Sequence, residues 1–356
     1  MKRLLFLAMI FSVFIGAWLF FQKITCKIVG QPTSVGPIQQ VFEAPFFAEL
    51  SKDSSIPLSF QYVPSNIQGF KEEYQLKFLR EGFFDLVSLR FLQNEELEIT
   101  LGGMDIPGLQ SNFSLSRSFA EAVSPLLDES LQKNFQAKLL STWAFGPQEL
   151  ICTKPIQNLN ELKGLKIRVG GRPNSSIVRL FSALGAKPVY IEYGETLTAL
   201  QNKLIDCGVS SYLSAESSGW FEYAPYRSSL NFGNGINGYV INLKTWDALN
   251  SRQKQLLSKR FKDLSDRMWE YSDESFEKSL LPCSPNDLTC QKNRRFKTKL
   301  IVFSKSDVSR LHQVAIDAVL KPWLKSCNEL NPGCKAQWIN QTKNTATLKN
   351  LNLGNL

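Results

Sequence analysis

From Cys26 onward the chain alternates short apolar runs with longer amphipathic ones, and it passes through that alternation twice. "CKIVGQ" (26–31) precedes "PIQQVFEAPFFAELS" (37–51), and "PLSFQYVP" (57–64) precedes "GFKEEYQLKFLREG" (69–82). Short apolar runs bounded by Gly and Pro are strands, the amphipathic segments between them are helices, and regular alternation of the two specifies an α/β architecture. "FFDLVSL" (83–89) is the next strand, "SLSRSFAEAVSPLLDESLQK" (114–133) reads as helical around Pro125, and "AKLLSTWAFG" (137–146) returns to sheet. After Gly146-Pro147 the rhythm restarts with "QELICTK", "LKIRV", "SSIVRLFSALG", "KPVYI", "YGETLTALQNKL" and "IDCGVS". Two α/β lobes follow, and 356 residues at 43% hydrophobic content are enough to fill two cores. No low-complexity linker separates them, so crossing strands rather than a tether are expected at the join.

The third part begins with the turn "GNGING" (233–238), forms a strand, and enters a helix far longer than average, suited to brace both lobes. Asn250 or Ser251 is placed to cap it, a side-chain oxygen there satisfying an otherwise unpaired backbone N–H. The expected division is lobe I over 26–146 with 233–275 returning to it, lobe II over 147–232 with 276–325 returning to it, and a C-terminal tail over 326–356.

The N-terminus carries Lys2 and Arg3 and then an apolar run from Leu4 to Phe21. This is an export segment, and residues 1–25 are either a removed signal peptide or an uncleaved inner-membrane anchor through residues 4–21. Cysteine usage agrees with an oxidising compartment: Cys283 with Cys290 and Cys327 with Cys334 are two local pairs of equal spacing in polar, Pro-containing stretches, read as two small disulfide loops. Cys152 and Cys207 pair if their strands are neighbours, and as buried thiols need no further role. The single histidine, His312, sits in a helical pattern and leaves no second imidazole for a zinc site.

Charge amounts to 41 Lys and Arg against 32 Asp and Glu. The basic run "KNRRFKTK" (292–299) lacks stacking aromatics beyond Phe296, so it reads as a solvated face and not a nucleic-acid site, while the overall balance suits attraction of small anions. No G-x-S-x-G elbow, phosphate loop with Lys or H-E-x-x-H motif is present, and Glu95 with Glu96 shows no partner in sequence. "GNGING" does not open a strand-to-helix unit, so it is no dinucleotide loop. An enzyme is therefore not expected, and neither a cofactor nor a metal.

Four segments carry a family likeness: "EYQLKFLREGFFDLVSL", "LNELKGLKIRV", "ALGAKPVYIEYGETLTALQNKLID" and "YVINLKTWDALNSRQKQLL". In order and spacing, over roughly residues 26–325, they resemble the solute-binding proteins of TRAP transporters, the tripartite ATP-independent periplasmic carriers. The resemblance implies a two-lobed periplasmic binding protein fold with an interlobe ligand cleft, a periplasmic location, TRAP membrane permease subunits as partners and a small organic anion as ligand. It also implies a role for Arg168, which ends the "GLKIRV" strand: pairing with the solute carboxylate, for which a planar guanidinium offers two parallel donors. The competing reading of Arg168 is an internal ion pair.

Departures from the family pattern carry as much weight. Many members have a second Arg where this chain has Gln148, and an Asn-Pro where it has Ser210 and Ser211. One cation fewer, with neutral Gln148 and Ser210 beside Arg168, implies a monocarboxylate bearing hydroxyl or keto groups. Trp143, Phe145, Tyr193 and Tyr212 belong to segments directed at the inferred cleft and are candidate wall residues, or else core. A membrane-anchored ligand sensor or accessory interaction protein with a diverged cleft is the alternative function.

Overall fold

The β-rich runs pair into two separate sheets in a computed structural model that describes residues 23–67, 69–110, 112–281, 296–346 and 348. The apolar segment 4–21 and the Cys283/Cys290 pair lie outside the described residues. The first sheet contains β1 (Ile24–Gly30), β2 (Leu58–Pro64), β3 (Leu86–Arg90), β4 (Ala137–Ala144) and the late strand β10 (Ile236–Asn242), in the order β2-β1-β3-β10-β4. The second contains β5 (Gln148–Cys152), β6 (Lys166–Val169), β7 (Lys187–Tyr190), β8 (Cys207–Ser211), β9 (Tyr226–Ser228) and β11 (Lys299–Ile301), in the order β11-β9-β5-β8-β6-β7. Strands β1, β2 and β3 run parallel, as do β6, β7 and β8, whereas β10 and β5 run antiparallel to their neighbours.

That antiparallel pair is where the chain changes sheets. After β4 it crosses at Phe145–Pro147, and it returns through the Gly233–Gly235 turn ahead of β10. The two crossings are hydrogen-bonded to each other: Phe145 N–H donates to Gly235 O at 3.1 Å, Gln148 N–H to Gly233 O at 2.7 Å, and Phe232 N–H to Gln148 O at 2.9 Å. Gly235 has φ of +61°, a left-handed conformation that favours glycine, and a Cβ there would also press on the Gln148 side chain.

Helix α1 (Phe113–Phe135) runs uninterrupted through Pro125, capped by Asn112. Helix α2 (Ser176–Ala183) follows β6 with its first turn at the cleft. The long helix α3 (Ser251–Leu280) starts at a full capping box in which Asn250 and Gln253 exchange side-chain and backbone bonds. It braces both sheets: Trp269 Nε1 donates to Thr142 O and Ser272 Oγ to Ala144 O of β4, while Ser279 near its end accepts from Arg227 of β9.

The stretch 326–356, expected as a tail, is helical and packed through its described part. Helix α4 (Lys305–Val314), which holds His312, rests on the second lobe, where Leu159 N–H donates to Asp307. Helices α5 (Lys321–Leu330) and α6 (Cys334–Thr342) reach the first, with Trp323 and Trp338 donating their indole N–H groups to Ile99 O and Gly103 O. Cys327 and Cys334 are disulfide-bonded, joining two helices instead of closing a polar loop; large buried indoles, unremarkable in sequence, supply the packing that makes this segment structure. Cys152 and Cys207, on the paired strands β5 and β8, form a second disulfide.

Candidate functional site: an interlobe cleft

The carboxyl ends of β3 and β6 face one another across the crossing strands, and the cleft between them takes its walls from both lobes. Its empty space, open solvent included, is about 810 Å³. Polar groups from Arg90, Gln93, Glu95, Asp105 and Asn237 line it on one side, and Arg168, Gln148, Ser210, Ser211 and Ser214 on the other, over an apolar base that includes Phe91, Ile177 and Phe232. A concave, largely apolar space with a few convergent polar groups is the form of a small-molecule site.

Arg168 is 4% exposed. Its Nε donates to Ile191 O at 2.9 Å and Nη1 leans toward Val209 O at 3.4 Å, while the guanidinium lies over the rings of Tyr193 at 5.4 Å and Trp220 at 5.8 Å. Among the described residues no carboxylate comes within ion-pair distance of it, and Nη2 has no hydrogen-bond partner. Burial depresses its pKa to about 10, with the neighbouring Arg90 adding to the effect. An internal ion pair, the competing reading of this residue, is not formed. A buried cation without a counter-ion is costly until an anion arrives.

The other expected site residues divide. Tyr193 lines the cleft, its hydroxyl 3.4 Å from Ser210 Oγ and 3.3 Å from Ser218 Oγ, and burial raises its pKa. Gln148 also lines it, tied by Nε2 to Gly146 O at 2.8 Å. Phe145 turns into it just beyond β4. Trp143 and Tyr212 do not: the Trp143 ring packs edge-on against Phe145 and beside Tyr239, in the core under α3, and the Tyr212 ring lies 4.3 Å beneath Arg227 and beside Phe221.

Sequence reasoning missed the first lobe's contribution. Arg90, the last residue of β3, brings a second guanidinium to the cleft from the opposite lobe, so the cleft holds two arginines despite Gln148, the second with Glu72 beside it. Its Nη1 donates to Gln31 Oε1 at 3.0 Å and stands 3.7 Å from Glu72, and its guanidinium lies 4.7 Å over Phe145. Gln31 is itself fixed by donation to Ser88, which in turn donates to the buried Glu43.

Glu95 and Glu96, partnerless in sequence, reach across the cleft. Glu95 accepts from both the N–H and the Oγ–H of Ser176 at the start of α2, and Glu96 accepts from Asn174 N–H and pairs with Arg172. Burial raises the Glu95 pKa to about 7 against the opposing effect of the Ser176 bonds. Asp105 accepts from Asn234 and Ile236 N–H groups, fastening the returning crossing, and burial raises its pKa as well. Among the described residues no cluster of three or more potential metal ligands occurs, and no helix is long and apolar enough to cross a membrane.

Residues 36–287 match the family model of bacterial extracellular solute-binding proteins, family 7. The chain belongs to that family. This solute-binding protein is therefore of the TRAP type, a class of extracytoplasmic substrate-binding transport proteins, not enzymes, that work with TRAP membrane components. It is 24% identical over 255 residues to an uncharacterized protein of Haemophilus influenzae, spanning 70% of this chain and 75% of that protein. The sialic acid-binding periplasmic protein SiaP of Vibrio cholerae is 26% identical over 140 residues, which are 39% of this chain and 42% of SiaP. Among solved structures, the solute receptor DctP7 of Bordetella pertussis, binding pyroglutamic acid, superposes with a TM-score of 0.75 at 16% identity, over 89% of this chain and 99% of that one. A Shewanella oneidensis TRAP solute-binding protein with bound succinate does so with a TM-score of 0.68 at 18% identity, over 90% and 99%. The two-lobed fold read from the alternation is the fold of these proteins.

Proposed function

We propose that this solute-binding protein captures a small monocarboxylate bearing hydroxyl or keto groups, closes its lobes over it and presents it to a TRAP permease in the membrane. The carrying observation is Arg168: a nearly buried guanidinium that has backbone acceptors and two aromatic rings around it but no carboxylate. A ligand carboxylate supplies the missing charge through two parallel donors. Arg90 does not call for a second carboxylate, because Glu72 already stands beside it. Ser210, Ser211 and Gln148 offer neutral donors and acceptors suited to hydroxyl or keto oxygens. Closure then follows from differential affinity, since a ligand that touches both lobes binds the closed form better than the open one. A thermal-shift screen of keto, hydroxy, sugar and cyclic monocarboxylates beside succinate and other dicarboxylates, followed by calorimetry, tests the reading. Monocarboxylates are expected to give the larger shifts, and tight binding of a dicarboxylate would overturn it. Membrane delivery is tested by uptake of the ligand in vesicles holding the cognate permease, with and without this protein.

A further inference from the structure

The two guanidiniums of the cleft come from opposite lobes, and that arrangement bears on how the lobes close. Arg168 is the penultimate residue of β6 and Arg90 the last of β3, and both line the same space. Neither is free to turn away. Arg168 is held by Ile191 O and its aromatic neighbours, and Arg90 by Gln31 Oε1, by Phe145 under its face, and by Gln75, whose side-chain oxygen accepts from the Arg90 N–H. Arg90 keeps Nε and Nη2 without a hydrogen-bond partner among the described residues, as Arg168 keeps Nη2. The support behind Arg90 is unusually polar for a core: Gln31 is fully buried and fixed to Ser88, and Ser88 to Glu43, which also accepts from Tyr62 and Tyr239. Glu72 at 3.7 Å offsets part of the Arg90 charge, whereas Arg168 feels Glu72 and Glu192 only from beyond ion-pair distance, with Arg90 opposing them.

We infer that Arg90 is a specificity-determining residue that makes closure depend on an anion: shutting the empty cleft buries Arg168 and brings it toward Arg90, and a ligand carboxylate between the two lobes removes that penalty. This rests on the reading of the cleft as an organic-acid site and adds the reason why a neutral analogue of the same shape does not close it. Like charges brought together in a desolvated space repel strongly, and an anion between them is attracted by both. Closure becomes a charge-sensing step, with one sensor on each lobe.

The test has two arms. In the first, small-angle X-ray scattering of the ligand-free protein compares the parent with Arg90→Gln, Arg90→Lys and Arg168→Gln. The expected result is a smaller radius of gyration for Arg90→Gln and Arg168→Gln than for the parent, with Arg90→Lys like the parent because it keeps the charge. Should Arg90→Gln fail to fold, Arg168→Gln removes the other member of the pair and reads the same repulsion. An unchanged radius in the neutral variants, or a Lys variant that behaves as the Gln variant does, overturns the inference. In the second arm, calorimetry with pyroglutamate and its neutral carboxamide, as a matched probe pair, reads discrimination. A parent preference for the acid of a hundredfold or more is expected to fall to tenfold or less in Arg90→Gln, and an undiminished preference counts against the inference. If neither probe binds the parent, monocarboxylates from the thermal-shift screen replace them. If no acid binds, the organic-acid reading fails, while the ligand-free arm still decides whether the two arginines oppose closure.

Discussion

Arg168 on β6 and Arg227 on β9 belong to the same sheet and are almost equally buried, at 4% and 2% exposure. Their surroundings are opposite. Arg227 meets Glu149 in a two-bonded pair, Nε to Oε2 and Nη2 to Oε1, both at 2.8 Å, adds Ser279 of α3 through its Oγ and backbone oxygen, and lies 4.3 Å over Tyr212. Arg168 has backbone oxygens and rings but no acid. One arginine arrives with its counter-ion in the chain, the other without. In a buried setting that distinction separates a structural arginine from one whose partner comes from outside, since an uncompensated interior charge is tolerated only where something else is gained.

Removing the acid from the structural pair breaks the comparison most severely. Glu149→Ala leaves Arg227 as an unpaired buried cation and is expected to lower stability by about 3–5 kcal/mol, read as a shifted denaturation midpoint without ligand. Arg168→Ala should do the reverse: little loss, or a gain, in ligand-free stability, and a drop in affinity on the order of a hundredfold, which is about 2.7 kcal/mol, with Arg168→Lys recovering only part. A large loss of ligand-free stability in Arg168→Ala with unchanged affinity would erase the distinction between the two arginines.

The smallest effect concerns a third buried group, intermediate between them. Among the described residues Glu95 bonds across the cleft to Ser176, and burial lifts its pKa to about 7, above the ordinary carboxyl value. The closed form therefore holds a proton that the solvated carboxyl of an open form gives up. Its contribution to closure is fully present below the ordinary value and is lost as pH rises through about 7. Ligand affinity measured from pH 5.5 to 8.5 should fall several-fold over this range, and Glu95→Gln should flatten the profile. A parent affinity that rises with pH would show that the Ser176 bonds outweigh burial.

Much of the architecture is legible in the amino-acid sequence, and the parts that are not share a cause. The alternation, the two lobes, the long helix and its Asn250 cap are local patterns, settled by neighbours a few residues apart. Arg168 is legible because a guanidinium ending an apolar strand has no packing reason to be there. "VSLR" carries the same signal at Arg90, but its meaning depends on β6, nearly eighty positions later in the chain. Glu95 and Ser176 are likewise 81 positions apart. Trp143 and Tyr212 take the core alternative for a different reason: being in the right segment does not decide how deep a ring sits, and Trp143 packs behind Phe145 against Tyr239. Family likeness, read residue by residue, located the missing charge at Gln148 but had no means of finding a second arginine on another strand.

The crossing at Phe145–Pro147 and the return at Gly233–Gly235 have a mechanical consequence. One connection between two bodies leaves them free to swivel in every direction; two connections zipped side by side leave mainly one motion, a flexing about the line they share. Helix α3 and the α4–α6 segment add straps anchored on both bodies, through Trp269 and Ser279 in the first case and through Asp307, Trp323 and Trp338 in the second. The halves therefore behave as a hinged shell with stays, and each time it shuts the rim meets in the same register. On the closure proposed above, a membrane partner meeting that rim would be presented with two states rather than a continuum.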